Sequence, residues 1–99
     1  PCSMATLAKV ACGIGEDLIV RSADVILKER KNLVIVPRET PFSALHLENM
    51  LKLARLGVSI IPPIPAFYNH PSSLEDVINS VVSRIMDQLG VTNNLSKRW

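Results

Sequence analysis

The sequence lacks several features that would assign it to a familiar class of protein. Only 4% of its 99 residues are aromatic, too few for the stacking surface on which single-stranded nucleic acid binds. The net charge is +2, which is too small for the electrostatic footprint of a DNA-binding protein. No apolar run approaches the roughly 20 residues that span a bilayer, and nothing resembles a signal peptide. We therefore expect a soluble, cytoplasmic domain that binds neither nucleic acid nor membrane.

Cysteine and histidine are equally sparse. Cys2 and Cys12 form no Cys-x-x-Cys pair, and two cysteines are too few for a disulfide scaffold. His46 and His70 are widely separated, with no second ligand at a spacing that would suit a metal ion. We expect two reduced thiols and no metal site.

The apolar residues that are present follow the pattern of an α/β protein. Helical periodicity and capping residues predict helices over residues 3–14, 17–29, 43–56 and 74–89. In the third helix the expected apolar face is Leu47, Met50, Leu51 and Ala54. Two short runs, Leu-Val-Ile-Val at 33–36 and Val-Ser-Ile-Ile at 58–61, are typical of strands that are covered on both faces. This alternation predicts a parallel sheet between helices, in a three-layer αβα arrangement.

Two strands are too few for four helices, because sheets average about five to six strands. The chain also begins with Pro1 instead of Met. We interpret residues 1–91 as the C-terminal half of a doubly wound domain, followed by a polar tail over residues 92–99. The other half would supply the first strands and the phosphate-binding loop that commonly follows the first strand.

Three segments are candidates for a binding site, because ligands of open α/β sheets bind beyond the carboxyl ends of the strands. These segments are residues 1–6, 37–41 and 62–71. We expect them to converge at one edge of the sheet. Since the sequence has no Gly-x-Gly-x-x-Gly, no P-loop and no Ser-His-Asp order, the residues alone indicate only an anion or nucleotide site shared with elements outside the chain.

The candidate side chains are two hydroxyls, a phenol and three cations: Ser3, Thr6, Tyr68, Lys28, Arg38 and Arg84. A helix N-terminus with hydroxyls, a guanidinium fork and a phenol can each bind phosphate oxygens. Arg84 lies about 110° around the last helix from its apolar stripe, where its side chain could reach solvent or a site. Simpler interpretations remain open: a helix cap, a surface Arg–Glu loop, a packed aromatic ring and two solvated cations.

Several longer motifs, in this order, resemble the flavin prenyltransferases of the UbiX type. They are P-C-S-M-x-T at 1–6, A-D-V-x-L-K-E-R at 23–30, L-V-x-V-x-R-E-T-P at 33–41, H-L-E-N-M-L-K-L-A-R-x-G at 46–57, P-P-x-P-A-F-Y at 62–68 and V-V-x-R-x-x-D-Q-L-G at 81–90. The resemblance extends to about Val91. It implies a Rossmann-like, flavodoxin-type fold and a homododecamer.

The resemblance also implies an activity. Members of this family transfer the dimethylallyl group of dimethylallyl monophosphate to reduced FMN, first at N5 and then at C6. The products are prenylated FMN and phosphate, and no metal is required. A UbiD-type decarboxylase then receives the prenylated FMN, which explains why such proteins have been described as aromatic-acid decarboxylases.

By position, the resemblance assigns roles to individual residues. Ser3, Met4, Ala5, Thr6 and Arg38 match the flavin-binding positions. Tyr68 and Arg84 match the pair that binds the substrate phosphate, while Lys28 and Glu39 match polar groups lining the prenyl phosphate site, partly from neighbouring subunits. We expect Glu39 and Lys28 to act in catalysis. Ala5 departs from the lysine that many relatives carry, so a contact made by the main chain would survive here and one made by that lysine would not.

Two other functions are compatible with a flavoprotein of this kind. A related cysteine decarboxylase would carry P-x-M-N-x-x-M-W where this chain has residues 1–6, and no Asn or Trp occurs there. A non-catalytic flavin-binding module is the second alternative. Because the family's Gly-Ala-Ser phosphate loop and an acidic residue are missing, we expect the 99 residues alone not to bind FMN.

Overall fold

A computed structural model describes residues 1–96 of the chain. Within this range four helices and two strands follow one another in the predicted order. They are α1 (Met4–Cys12), α2 (Leu18–Lys28), β1 (Val34–Ile35), α3 (Ala44–Arg55), β2 (Ser59–Ile60) and α4 (Leu74–Gln88). The helices confirm the sequence prediction to within two residues at each end. The strands are shorter than predicted, with only two residues in each regular ladder.

Each helix begins with a side chain that caps it. Ser3, Asp17, Ser43 and Ser73 each accept a hydrogen bond from the backbone N–H three residues further on. In α3 the bond is reciprocal, because Nδ1 of His46 accepts the N–H of Ser43 at 3.1 Å. These bonds satisfy amide groups that a helix start leaves without an intrahelical partner, so local sequence alone fixes where the helices begin.

The two strands are parallel neighbours. Val34 pairs with Ser59, and Ile35 pairs with Ile60. On the other side of β1, Cys2 forms an isolated parallel bridge with Pro37. The predicted parallel sheet is confirmed, with the segment that precedes α1 added beside β1.

The chain divides into two compact units, Pro1–Pro62 and the part that begins at Pro63. The first unit holds α1, α2, α3 and both strands, and α1 packs against α2 and α3. Its core includes Leu7, Val20 and Leu53, none of which is exposed to solvent. Burial of such side chains contributes about 1.5–3 kcal/mol each, so this helical layer is the main apolar core of the unit.

The predicted apolar face of α3 is wrong in part. Met50 is buried as expected, but Leu47 and Leu51 are 53% and 50% exposed, and Ala54 is exposed as well. Leu53 is buried instead. At about 100° per residue, a stripe centred between positions 50 and 53 leaves position 47 about 90° away and position 51 about 130° away. The sequence pattern thus predicts four apolar residues on the buried face of α3, whereas the helix buries two residues, Met50 and Leu53.

In the second unit, α4 also buries residues other than its apolar stripe. Its buried positions are Ser80 and Ser83, whereas Leu74 and Ile78 are 74% and 52% exposed. Up to residue 96, this unit contains no second helix against which α4 could pack. The residues that follow α4 cover Ser83 instead, through a hydrogen bond to Asn93. None of the described helices is long and apolar enough to cross a membrane.

Candidate functional site

Two of the three predicted loops meet at the carboxyl end of β1. The N–H of Cys2 donates to the carbonyl of Val36 at 2.9 Å, and the N–H of Arg38 donates to the carbonyl of Cys2 at 3.2 Å. These bonds place the start of α1 directly beside the loop that carries Arg38. The sheet therefore brings a helix N-terminus and a guanidinium-bearing loop to one edge, as the parallel-sheet argument predicts.

The third loop starts from the same edge. The N–H of Ile61 donates to the carbonyl of Ile35 at 2.8 Å, so the chain leaves β2 beside the end of β1. From Pro63 onward, however, this loop belongs to the second unit. The structure thus supports convergence for the beginning of the loop.

The hydroxyl of Ser3 serves first as the cap of α1. It accepts the N–H of Thr6 at 3.1 Å and donates to Oγ1 of Thr6 at 3.2 Å. The amides of the first turn have no partner within the helix, and Ala5 is exposed there. Met4 is 6% exposed and its side chain belongs to the core, so only its main chain could contact a ligand.

Arg38 and Glu39 are both exposed, whereas Pro37, the residue before them, is fully buried. Within residues 1–96, neither side chain forms an ion pair. The surface Arg–Glu pair that the sequence left open is therefore not formed. A guanidinium without a carboxylate partner keeps its planar set of donors for an acceptor such as two phosphate oxygens or a flavin carbonyl edge.

Lys28 lies apart from Arg38 and Glu39. It is the last residue of α2, and the extended segment that leads into β1 begins only five residues later, at Leu33. This connection places Lys28 toward the amino end of β1, whereas Arg38 and Glu39 follow its carboxyl end. The chain does not bring Lys28 to the same edge as the other candidate residues of the first unit.

Tyr68 and Arg84 both lie in the second unit. Tyr68 is 64% exposed, within a turn in which the N–H of His70 donates to the carbonyl of Phe67 at 3.1 Å. The side chain of Arg84 is also 64% exposed, and its Nη1 lies 3.6 Å from Oδ2 of Asp87. Both side chains are largely exposed in this chain.

Sequence reasoning missed a polar cluster beside Arg84. The hydroxyl of Ser83 donates to Oδ1 of Asn93 at 2.8 Å, and Nδ2 of Asn93 donates to Oδ1 of Asp87 at 3.2 Å. The spacing of Asp87, three residues after Arg84, could have indicated an ion pair on the helix surface. No local pattern indicates Asn93, because its partners lie across a chain reversal.

The second unit also contains a cavity of about 410 Å³. Its polar lining includes Asn69, His70, Asp76 and Ser80. The N–H and hydroxyl of Ser72 donate to the carboxylate of Asp76 at 2.9 and 2.8 Å, and these bonds lower the pKa of Asp76. Neither Tyr68 nor Arg84 is among the residues that line this cavity.

Two further features bear on reactivity. Burial raises the pKa of the Cys2 thiol. A thiol held in its protonated form is a poor nucleophile. Among residues 1–96, no three His, Cys, Asp or Glu side chains are grouped so that they could hold a metal ion.

Comparison with known proteins gives consistent matches. Residues 1–86 match the family described as Flavoprotein. The chain is 58% identical over its whole length to the flavin prenyltransferase UbiX of Methanocaldococcus jannaschii, covering 54% of that protein. It is 56% identical to the flavin prenyltransferase LpdB of Lactiplantibacillus plantarum, again over its whole length, and covers 53% of that protein.

Solved structures agree. A dodecameric FMN-dependent UbiX-like decarboxylase from Escherichia coli O157:H7 superposes with a TM-score of 0.95 at 52% identity, over all of this chain and 54% of the other. AnUbiX (PadA1), solved with FMN and dimethylallyl pyrophosphate, superposes with a TM-score of 0.96 at 50% identity, over all of this chain and 53% of the other. The predicted flavodoxin-like αβα fold is confirmed.

The chain spans about half the length of the relatives that it matches. The comparisons do not support the prediction that this half is the C-terminal one. They do cover every motif on which the family resemblance was based. With a family match over residues 1–86 and solved relatives of the same fold, the chain belongs to the Flavoprotein family.

Proposed function

We propose that the protein is a flavin prenyltransferase. It would transfer the dimethylallyl group of dimethylallyl monophosphate to N5 and then C6 of reduced FMN, releasing phosphate. The observation that carries this proposal is the hydrogen-bonded junction of Cys2 with Val36 and Arg38, which places a helix N-terminus beside an unpaired guanidinium. Support comes from the named prenyltransferases at 56–58% identity and from the relative solved with FMN and dimethylallyl pyrophosphate.

The junction suits a flavin mononucleotide. The first-turn amides of α1 point donors at an electron-rich group, and the helix dipole favours negative charge at the same place. Ser3, Met4, Ala5 and Thr6 would contact FMN there, with Met4 doing so through its main chain. Arg38 would bind FMN with the parallel donors of its guanidinium.

The prenyl phosphate would be bound by Tyr68 and Arg84. When the allylic C–O bond breaks, both electrons leave with the phosphate, and charge develops on its oxygens. A preorganised phenol and guanidinium stabilise that developing charge more than they stabilise the ground state. The allyl group becomes cation-like and is captured by reduced FMN, which supplies the electron pair for the new bond.

Lys28 would join this site from a neighbouring copy of the chain. Within one chain it lies on the amino-end side of β1, away from Arg38 and Glu39. A site lined by Lys28 together with these residues therefore needs a second copy. Support for an oligomer comes from the dodecameric assembly of the E. coli O157:H7 relative.

Glu39 is the candidate proton acceptor. Alkylation at C6 replaces a ring hydrogen, so a base must take up one proton to restore the ring. Glu39 is exposed at the same edge as Arg38 and forms no ion pair within residues 1–96. We further propose that the prenylated FMN passes to a UbiD-type decarboxylase and that the reaction takes place in the cytoplasm.

The test is an anaerobic assay of the intact protein with reduced FMN and dimethylallyl monophosphate. Mass spectrometry should detect FMN carrying an added five-carbon unit. The substitution Arg84→Ala should raise KM for dimethylallyl monophosphate at least tenfold, because a charge-assisted bond to phosphate contributes roughly 1.5–3 kcal/mol. FMN affinity should stay within about twofold of the wild type.

A matched control is Arg55→Ala, which removes an exposed arginine at the end of α3. This variant should behave as the wild type. Release of carbon dioxide without any prenyl donor would identify a decarboxylase instead. Loss of FMN binding in Arg84→Ala with unchanged affinity for dimethylallyl monophosphate would contradict the assigned role of Arg84.

A further inference from the structure

Arg84 is exposed, but the side chains beside it are held in place by several hydrogen bonds. Its Nη1 lies 3.6 Å from Oδ2 of Asp87, three residues further along α4. An exposed ion pair of this kind contributes little to stability, since both side chains are solvated and lose conformational freedom. The side chain of Asp87 is only 22% exposed, however, against 64% for Arg84. The carboxylate is thus the less mobile partner.

The other oxygen of Asp87 is held from the opposite direction. Nδ2 of Asn93 donates to Oδ1 of Asp87 at 3.2 Å and to the carbonyl of Val91 at 3.2 Å. Oδ1 of Asn93 accepts the hydroxyl of Ser83 at 2.8 Å. Ser83 has no exposed surface, so this chain of bonds starts from a buried point on α4.

The segment after α4 is held in place by the same bonds. The N–H of Val91 donates to the carbonyl of Met86 at 2.9 Å, and the N–H of Leu95 donates to Oδ1 of Asn93 at 3.4 Å. Asn93 is therefore held by several hydrogen bonds, and its amide in turn restrains the carboxylate of Asp87. Oδ1 of Asp87 thus faces Asn93, while Oδ2 faces Arg84.

A stationary carboxylate restricts an arginine without using up its donors. A guanidinium carries five N–H groups, and the contact with Asp87 involves only Nη1. The remaining N–H groups stay available, and the attraction to Asp87 restricts the directions in which they point. Preorganisation of this kind lowers the entropy lost when an arginine binds a phosphate group.

We propose that Asp87, held by Asn93, is a positioning residue that orients the guanidinium of Arg84 toward the substrate phosphate. The inference rests on the proposed function, because it assumes that Arg84 binds the phosphate of dimethylallyl monophosphate. It adds that residues 91–93 contribute to the site indirectly, through Asn93 and Asp87. The polar segment after the last helix is then part of the substrate-binding machinery.

The experiment compares Asp87→Asn, Asn93→Ala, Arg84→Ala and the double variant Arg84→Ala/Asp87→Asn in the intact protein. Asp87→Asn keeps an oxygen that can accept the Asn93 bond and removes the charge facing Arg84. We expect KM for dimethylallyl monophosphate to rise about fivefold, with kcat and FMN affinity within about twofold of wild type. Asn93→Ala should raise KM in the same direction.

The double variant shows whether Asp87 acts by positioning Arg84 or acts on the substrate directly. If Asp87 acts through Arg84, its substitution should have no further effect once Arg84 is alanine. The matched control is Glu75→Gln, which removes an exposed carboxylate from the first turn of the same helix and should leave KM unchanged. The inhibition constant of inorganic phosphate should follow KM across the series.

The outcomes distinguish the two proposals. If Arg84→Ala raises KM and Asp87→Asn does not, the positioning role is overturned and the proposed function stands. If Asp87→Asn raises KM equally with and without Arg84, Asp87 acts independently and the inference is wrong. If Arg84→Ala leaves KM unchanged, both the phosphate assignment and the inference built on it fail. A parallel fall in kcat, FMN affinity and thermal stability in Asp87→Asn would show a purely structural role.

Discussion

At the scale of single residues, Gly57 shows how one backbone angle constrains the sequence. It follows α3 with φ of +91°, in the region that L-amino acids with a side chain rarely adopt. A Cβ added there would meet nothing within 4 Å, so crowding by neighbours plays no part. We expect Gly57→Ala to lower the free energy of unfolding by about 1–2 kcal/mol through backbone strain alone.

Urea denaturation of the intact protein measures this effect. Gly57→Asn is the control, since asparagine tolerates positive φ better than alanine does and should cost less. Equal losses for the two variants would show that the side chain, and not the backbone angle, determines the cost.

Single residues also mark the limit of what the sequence predicts about the site. Ser3 and Arg38 could be placed at a strand end because a cap and a proline-bounded loop leave local signatures. Asn93 could not, because its bonds to Ser83 and Asp87 depend on how the chain returns after α4. A hydrogen bond across a chain reversal has no periodic pattern that would indicate it.

At the scale of elements, the start of α4 depends on a charged side chain. The N–H and hydroxyl of Ser72 bind the carboxylate of Asp76 and lower its pKa, and the N–H of Asp76 bonds to the hydroxyl of Ser73. Because the folded-state pKa is depressed, the carboxylate stabilises the fold above the ordinary aspartate value of about 3.9. This contribution is lost as the pH falls through the folded-state pKa.

We therefore expect Asp76→Asn to lower the free energy of unfolding at pH 7 and to have progressively less effect below about pH 4. Urea titrations of wild type and variant across this range give the difference at each pH. Glu75→Gln, also in the first turn, is the comparison for a general charge effect at the helix N-terminus. A difference between wild type and Asp76→Asn that does not change with pH would exclude the carboxylate as its source.

The positions of the helices could be predicted from the sequence, but which face of each helix is buried could not. Capping residues and apolar spacing located all four described helices, since both signals are local. The buried face of α3 was placed incorrectly because leucine occurs on more than one side of that helix. Which leucine is buried depends on where α1 lies, and that is a tertiary property.

At the scale of the whole molecule, large apolar side chains remain on the surface of the chain. Leu18 and Ile19 in α2 are 80% and 71% exposed, and Leu45 and Leu56 near the two ends of α3 are 64% and 60% exposed. The chain also spans about half the length of the relatives that it matches. A flavin site drawn from a full-length domain would be incomplete in these 99 residues.

We accordingly expect the 99-residue chain to show no tight binding of FMN in a fluorescence titration, whereas the intact protein should bind it. Far-UV circular dichroism on the same sample would establish that the helices are formed. Stoichiometric, tight binding by the 99 residues would show that they contain the whole flavin site. Sequence alone could anticipate the fold class here, but not which apolar surfaces stay uncovered, since burial of a surface is a tertiary property.

The buried proline at the end of β1 has a consequence for how the sheet edge moves. Cys2 bonds to the residues on either side of Pro37, so the ring nitrogen of Pro37 faces the β2 side, where it has no hydrogen to donate. The backbone hydrogen bonds to Cys2 thus continue as far as the N–H of Arg38. The backbone hydrogen bonds to β2 and the residue after it end at the bond from the N–H of Ile61 to the carbonyl of Ile35. Amide hydrogen exchange should therefore be slow at Arg38 and at Ile61, and fast at Ile64, the first residue after Ile61 that carries an amide hydrogen. The side of the sheet edge next to Cys2 should then be more rigid than the side next to β2.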